Sequence, residues 1–384
     1  MMIGRAGTYI SQPRGYKAFI PTSLPPEPSI QYDEDLQFSL SKADRALARL
    51  DGLTAVLPNL ELFIAMYVKK EALLSSQIEG TQASLVGVLE FEANLTPRED
   101  VREIKEVINY VKALNYGMER LEKLPMSLRL IKEIHRILIE RTRGSHKAPG
   151  EFRESQNWIG PPGVSLSEAV FVPPPPDMVI PAMGELEKFM HTKDNIPPLV
   201  KIALIHAQFE TIHPFLDGNG RIGRLLITFY LFWKEILLSP LLYLSFYLKK
   251  HRNEYYDLLM RVRTEGVWED WVKFFLKGVS ETSEEAIGTA REIIVLKENI
   301  ITKLHENSIS SVYAIKLIDL LFDTPLVGVP YVTEKLNMSK QSANELVKRF
   351  EKINVLREIT GKQRYKRYIF RDYIEIIARG TKSE

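Results

Sequence analysis

The sequence predicts a mostly α-helical protein, with one small β-hairpin near its middle and a winged helix-turn-helix at its C-terminal end. Three observations carry that expectation. Apolar residues recur at helical spacing, as in Leu60, Phe63, Ile64 and Val68 and again in Ile104, Val107, Ile108 and Val111. One stretch, Gly150 to Pro176, breaks the pattern, because it carries Gly160-Pro161-Pro162-Gly163 and then Phe171-Val172 followed by four prolines. Its short apolar pieces around a Pro-Pro-Gly turn predict the hairpin. Finally, residues 329–370 read as two helices followed by two strands, the order of a winged helix.

In chain order, residues 11–32 are rich in proline and serine and predict an extended arm laid on the surface. The first region, 1–122, is otherwise helical. The middle region, 123–285, has helices expected over Leu128–Ile139, Pro181–Met190, Leu199–Thr211, Arg221–Trp233 and Asn253–Val262. A linking helix from about Glu281 to Leu304 opens the third region, 286–384. There Val329–Leu336 precedes a turn at Asn337-Met338, and a second helix runs from an N-cap at Ser339 to about Ile353. Val355–Ile359 and Tyr365–Phe370 flank a Thr360-Gly361 turn and predict the wing.

Composition narrows the function. A chain of 384 residues has room for two or three domains, and a hydrophobic fraction of 45% can fill their cores. The formal charge of +2 advertises no global affinity for nucleic acid or membrane. The absence of cysteine excludes disulfides and thiolate chemistry and fits a reducing, cytoplasmic setting. Met1–Ile10 has no apolar signal-peptide core. Leu225–Leu248 is interrupted by Lys234, Glu235 and Pro240, so it reads as buried helix and connection, and no membrane partner is expected.

The segment that carries chemistry is His213-Pro214-Phe215-Leu216-Asp217-Gly218-Asn219-Gly220-Arg221-Ile222-Gly223-Arg224. Pro214 forces a helix to end near Thr211. Gly218 and Gly220 are free to take positive φ in the turn that follows, and Asn219 tolerates it. A new helix starting at about Arg221 would aim its unpaired N–H groups and positive dipole end at that turn, forming an anion site. Arg221 and Arg224, three apart, share a helical face and suit a polyphosphate. Asp217 is a hard oxygen ligand fit for Mg²⁺, and His213 is the natural base for a hydroxyl attacking phosphorus.

This segment resembles, position by position, the signature of the Fic (Fic/Doc) family. Gly150-Glu151-Phe152-Arg153 and the Val172–Pro176 run also look like parts of a Fic core. The resemblance implies transfer of AMP from ATP to a Ser, Thr or Tyr hydroxyl of a protein, with self-modification among the outcomes. His213 would take the target proton, Asp217 would hold Mg²⁺, and the backbone of Gly218, Asn219 and Gly220 would cradle the α- and β-phosphates. Arg221 and Arg224 would grip the outer phosphates, with Ile222 and Gly223 completing the nucleotide-binding run. The hairpin would be a flap that docks the target as an added strand. The resemblance also places adenosine near Tyr255-Tyr256, with Tyr256 the contact, against the alternative of core packing.

Ser75-Ser76-Gln77-Ile78-Glu79-Gly80 resembles the inhibitory motif of Fic proteins that carry their own inhibitory helix, which implies inhibitory roles for Ser75, Glu79 and Gly80. Glu79 in the last turn of a helix ended by Gly80 opposes the helix dipole and should seek a cation. A His206/His213/Asp217 metal site is conceivable, but no further ligand pattern supports it. His135, His146, His191, His251 and His305 have no partner visible in the sequence. From Tyr331 to Glu384 there are thirteen Lys/Arg against seven Asp/Glu. Lys340, Gln341, Asn344 and Lys348 are expected to face outward, and Lys362, Arg364, Lys366 and Arg367 lie in the wing. These residue types can contact DNA, with protein contact or plain packing as the alternative. Removal of AMP by the same site, and a DNA-binding regulator that senses nucleotide, are the competing functions. A homodimer is a further partner that the sequence leaves open.

Overall fold

The computed structural model describes residues 4–13, 15–53, 60–161, 163–309 and 311–381; Met1 to Ile3 and Pro162 of the expected turn lie outside them. The chain opens with an antiparallel hairpin, β1 (Gly7–Ser11) and β2 (Lys17–Pro21). Helices α1 (Glu34–Leu53), α2 (Leu60–Ile78), α3 (Leu85–Glu92), α4 (Val101–Leu121) and α5 (Leu128–Leu138) follow. After an irregular stretch come α6 (Pro176–His191), α7 (Pro198–Ile212), α8 (Asn219–Trp233), α9 (Ser245–Lys250), α10 (Arg252–Glu265) and α11 (Trp268–Glu306). The last module is α12 (Val312–Asp323), β3 (Leu326–Gly328), α13 (Val329–Leu336), α14 (Lys340–Lys352), β4 (Arg357–Glu358), β5 (Arg367–Ile369) and α15 (Arg371–Ile377).

The centre of the molecule is α7. Every residue from Leu199 to Ile212 is buried, including Lys201, His206 and Glu210. A helix buried all round needs neighbours on every side. Here α6, α8, α10 and α11 supply them. Helix α8 lies on α7 and reaches α4 and α5 on its other side, while α2 crosses α4, α8 and α9. Helix α1 buries Leu36, Ala43, Leu47 and Leu50 along α11. Among the described residues no helix is long and apolar enough to cross a membrane.

The structure changes three expectations. The arm is not simply extended, since β1 pairs with β2 and Phe19 is buried, with ring centroids 5.1 Å from Tyr9 and 5.9 Å from Phe171. Its backbone also joins the flap, because Phe19 N–H donates to the Val172 carbonyl at 2.9 Å. Among the described residues, the hairpin expected within 150–176 shrinks to one antiparallel bridge between Ile159 and Phe171, with a single 3-10 turn at Leu166–Glu168. The four prolines from Pro173 onward offer no N–H to a ladder, so pairing cannot extend past Val172. Helix α11 begins at Trp268, not Glu281, because Trp271, Phe275 and Val279 already place an apolar stripe against the core. It runs unbroken through residues 285 and 286.

The C-terminal module matches its expectation closely. Helix α13 has the bounds read from the sequence, Asn337 takes the left-handed conformation, and the Ser339 hydroxyl caps α14 by accepting from Ser342 N–H. The sheet order is β3-β5-β4. Its strands are shorter than expected because Lys362 to Lys366 has no buried face to pack. The edge strand β3 and the closing helix α15 were not foreseen.

Where α4 crosses α8, a glycine sets the approach. A Cβ on Gly117 would meet the Phe229 ring at 2.3 Å. Gly117→Ala should therefore destabilise the fold by about 1–3 kcal/mol through overpacking. Urea denaturation measures this, and an unchanged midpoint would contradict the close packing of α4 on α8.

Candidate active site

Helix α7 delivers His213. Its N–H bonds the Phe209 carbonyl at 2.9 Å, and Pro214 then stops the helix. His213 takes φ 49° and ψ 60°, a left-handed conformation that costs a residue with a Cβ. Arg153 holds it there. Its backbone N–H donates to the Pro214 carbonyl at 2.9 Å, its Nε to the His213 carbonyl at 3.0 Å, and its Nη2 to Pro174 at 2.6 Å and Ile212 at 3.3 Å. Asn157 Nδ2 donates to the His213 and Phe215 carbonyls at 3.2 and 2.9 Å. The irregular stretch thus locks the histidine backbone. Burial, and then the charges of Arg263 and Arg153, push the His213 pKa down to about 3, so the ring is neutral at pH 7. The side chain keeps 20% exposure.

The turn after His213 is built by side chains. Asn219 Oδ1 accepts from Phe215 N–H and its Nδ2 donates to the Phe215 carbonyl, both at 2.8 Å. Phe215 stacks on His135 with centroids 3.7 Å apart. Gly150 N–H donates to His135 Nδ1 at 2.9 Å, so the ring proton sits on Nε2 and donates to the Asp217 carbonyl at 3.0 Å. Burial depresses the His135 pKa to about 4, which keeps that neutral tautomer.

Gly218 takes φ +80° as expected, and α8 starts at Asn219, two residues earlier than expected. Gly220 does not take positive φ. It lies in the first turn of α8, and what it supplies is space, since a Cβ there would sit 2.1 Å from Glu79 Oε1.

The two arginines are buried with different partners. Arg221 lies 3.4 Å from Asp217 Oδ1 and 3.6 Å from Glu106 Oε2, yet its Nε and Nη1 make no hydrogen bond. Glu106 is itself buried, fixed by the Thr81 hydroxyl at 3.1 Å and Arg143 at 3.0 Å. Arg224 Nε donates to the Ser75 hydroxyl at 2.7 Å, and its Nη2 to the Ser75 carbonyl at 2.9 Å and to Glu79 Oε1 at 2.8 Å. Glu79 follows the last residue of α2, and Gly80 turns the chain away with φ +95°. Burial works against the Glu79 charge, but Arg224, then Arg221 and His213, outweigh it and hold the carboxyl below its ordinary range.

Tyr255 is core, as the bland expectation had it, with its hydroxyl 2.9 Å from His206 Nε2. His206 Nδ1 faces the Gly223 carbonyl at 2.9 Å, so both ring nitrogens are engaged and His206 cannot join His213 on a metal. Among the described residues no group of three or more His, Asp and Glu could hold a metal ion. Tyr256 is 41% exposed beside the site. Burial, and then the Glu79 carboxylate, raise its pKa to about 12. Asp217 keeps a side chain 33% exposed next to Arg221. An accessible carboxylate beside a turn and a helix N-terminus is a donor of the kind that fits Mg²⁺, which takes its remaining ligands from phosphates and water.

Sequence reasoning missed Glu106, His135, Asn157 and Glu210, and it quoted Arg153 without a role. The last did carry a signal, because Gly150-Glu151-Phe152-Arg153 belonged to the resemblance. The others act through tertiary contacts that no local spacing announces.

Comparison with known proteins agrees with this geometry. The profile described as Fic/DOC family N-terminal matches residues 38–119, the Fic/DOC family profile matches 125–231, and an HTH DNA binding domain profile matches 315–368. A protein named Protein adenylyltransferase Fic from Drosophila grimshawi is 27% identical over 267 residues, covering 65% of this chain and 48% of that protein. Its namesake from Aedes aegypti is 30% identical over 176 residues, covering 44% and 30%. The chain thus spans half or less of the length of these curated relatives. Among solved structures, a Fic family protein from Desulfovibrio desulfuricans G20 aligns with a TM-score of 0.59 at 20% identity, covering 89% of this chain and 97% of that one. A Fic domain containing signaling protein from Bacteroides thetaiotaomicron VPI-5482 aligns with a TM-score of 0.52 at 17% identity, covering 67% and 97%. Such likeness concerns the fold. Matched profiles over both helical regions, together with the intact run from His213 to Arg224, make this chain a member of the Fic/DOC family.

Proposed function

We propose that this chain transfers AMP from ATP to a Ser, Thr or Tyr hydroxyl of a protein, and that Glu79 holds the site off. The observation that carries the reading is a set of unsatisfied donors at the start of α8. Among the described residues, two nitrogens of the buried Arg221 make no hydrogen bond although carboxylates lie within 4 Å, and Arg224 is engaged by a glutamate that meets no other cation at hydrogen-bond distance. Buried N–H groups without partners are costly unless a ligand satisfies them. The triphosphate would take the N–H groups of the α8 N-terminus, flanked by Arg221 and Arg224, with Ile222 and Gly223 inside the helix turn behind them. Tyr256, whose ring is exposed near Arg224 and Glu79, would meet adenosine in this reading.

The neutral His213 would accept the target proton as the hydroxyl oxygen attacks the α-phosphorus. The new O–P bond forms as the bond to the β-phosphate oxygen breaks, and pyrophosphate leaves. Mg²⁺ held by Asp217 would neutralise charge on the phosphates. The relatives named as adenylyltransferases support this reaction.

Labelled ATP tests the reading. His213→Ala should remove label transfer to protein while ATP affinity, measured by calorimetry, stays within a few-fold, because the turn and arginines remain. Glu79→Gly should raise self-modification tenfold or more at saturating ATP and Mg²⁺, since a misplacement on the order of 1 Å can cost about 10²-fold in rate. Arg224→Ala on that background should abolish the gain. Equal rates for wild type and Glu79→Gly would sink the inhibitory role. Loss of label from a premodified protein, without forward transfer, would favour AMP removal instead.

A second reading attaches to the C-terminal module, on the strength of its HTH match and its open groove between α14 and the wing. Lys340, Gln341, Asn344, Arg364, Tyr365 and Lys366 line that groove. We infer that it contacts duplex DNA. Binding by the full chain should weaken steeply between 50 and 200 mM salt, as counterion release requires. Lys362→Ala, Arg364→Ala and Lys366→Ala together should reduce both affinity and salt slope. No gel shift with mixed-sequence duplex at low salt would leave a protein-contact role.

A further inference from the structure

One buried acid lies beside the proposed base without a structural job of its own. Glu210 sits on α7 three residues before His213, and the residue is 6% exposed. Its Oε2 lies 3.9 Å from His213 Nδ1. Among the described residues, Glu210 Oε1 has no hydrogen-bond partner, and neither has His213 Nδ1. The carboxylate is also given room on its other side, because a Cβ on Gly223 would fall 2.4 Å from Oε1. Nearby Arg263 does not claim it by hydrogen bond. That guanidinium donates to the Glu210 carbonyl at 3.1 Å and to the Thr211 hydroxyl at 3.1 Å.

A buried carboxylate with an unsatisfied oxygen is costly, and such exceptions ask for a reason. The unbonded His213 Nδ1, 3.9 Å from the other oxygen of the same carboxylate, supplies one. We propose that Glu210 is the positioning residue of His213, keeping the ring proton on Nδ1 so that Nε2 faces the target hydroxyl, and stabilising the imidazolium formed during transfer. The proposal rests on His213 acting as the base. As the hydroxyl oxygen bonds the α-phosphorus, its proton moves to Nε2 while the bond to pyrophosphate breaks. The positive ring then closes the 3.9 Å gap to Glu210. The proton leaves to water after pyrophosphate departs. Hydrogen bonds of this kind are often long before substrate binds and tighten in the reacting complex.

The arrangement has a pH signature. Glu210 is pushed up to about 7, first by burial, with Arg224 opposing, Glu79 adding to the rise and Arg263 opposing. The other groups facing the pair are Arg153 from the irregular stretch and Tyr255 and Tyr256 from α10. Because the folded pKa lies above the ordinary carboxyl value, Glu210 is charged only on the alkaline side of it. The rate should therefore rise with pH through the Glu210 ionisation. Glu79→Gly removes a neighbouring negative charge, so in that variant the midpoint should lie below that of the intact chain.

The test uses the full chain. On the Glu79→Gly background, Glu210→Gln should lower kcat for self-modification by 10- to 1,000-fold with the KM for ATP changed less than about threefold. It should also flatten the acid limb of the kcat profile, and Glu210→Asp should recover part of the rate. Glutamine keeps the backbone carbonyl that also faces the ring, so the loss would belong to the carboxylate. An unchanged kcat, or a loss that keeps the acid limb, overturns the proposal. A second readout needs no activity. In the otherwise wild-type chain, the ¹⁵N shifts of His213 should titrate with a midpoint near 7, reporting Glu210, and should be flat through that range in Glu210→Gln. If Glu79→Gly transfers nothing, the transferase reading fails while this titration still decides the pairing. Identical His213 titrations in the two proteins overturn it.

Discussion

The arrangement depends on a buried guanidinium that must have a counter-charge. Arg224 is carried on α8 with its side chain 1% exposed, and it cannot lose its proton. Removing such a group from water costs several kcal/mol unless it is paired and fully hydrogen-bonded. Here the end of α2 supplies everything at once, with the Ser75 hydroxyl, the Ser75 carbonyl and the Glu79 carboxylate. Glu79 in turn sits past the negative end of its own helix, where a carboxylate is disfavoured unless a cation compensates. Each partner answers a cost in the other. That is why α2 docks on α8 in one register, and why Gly220 must lack a side chain beneath the contact. An incoming phosphate would offer Arg224 the same compensation, so the contact that completes the resting fold is also one a ligand can replace.

The chemistry is set by how the surrounding helices confine the turn. Helix α7 is buried on all sides and brings His213 to its end in a strained conformation. Arg153 and Asn157 anchor the backbone there, while His135 and Asn219 hold the turn that follows. The histidines divide by environment. His135 and His206 each have both nitrogens occupied and are held neutral as structural groups. Among the described residues, His213 Nδ1 makes no hydrogen bond and lies 3.9 Å from Glu210, and the side chain keeps partial exposure. The N-terminal hairpin also reaches the irregular stretch, because Phe19 N–H bonds the Val172 carbonyl and its tilted ring packs beside Phe171. The first strands of the chain thereby brace the segment expected to receive a target.

Much of this was legible because local rules and tertiary need coincide. Pro214 ends a helix wherever it stands, Gly218 takes the φ that a turn demands, and Ser339 caps α14 as its side chain allows. Glu79 seeking a cation could be read from helix electrostatics alone. Illegible parts depend on residues far apart in sequence. Glu106 reaches Arg221 across 115 positions and looks like any surface acid on α4. Gly220 was read as a backbone residue, yet its value is steric and visible only once Glu79 is in place. The flap hairpin was overestimated because a run of prolines looks extended but cannot bond as a strand. The arm was underestimated because one buried phenylalanine, Phe19, outweighs the prolines around it.

In the proposed function, the start of α8 is a polyphosphate site whose second arginine is withheld by Glu79. The most direct measurement is a crystal structure of the Glu79→Gly chain with Mg²⁺ and a non-transferable ATP analogue, beside the wild-type chain treated identically. In the variant, phosphates should lie against the N–H groups of Gly218 to Gly220, with Arg224 turned onto the terminal phosphate and the α-phosphorus facing His213. In the wild type Arg224 should remain on Ser75 and Glu79. A nucleotide bound elsewhere in the variant, or an identical productive pose in both proteins, would contradict it.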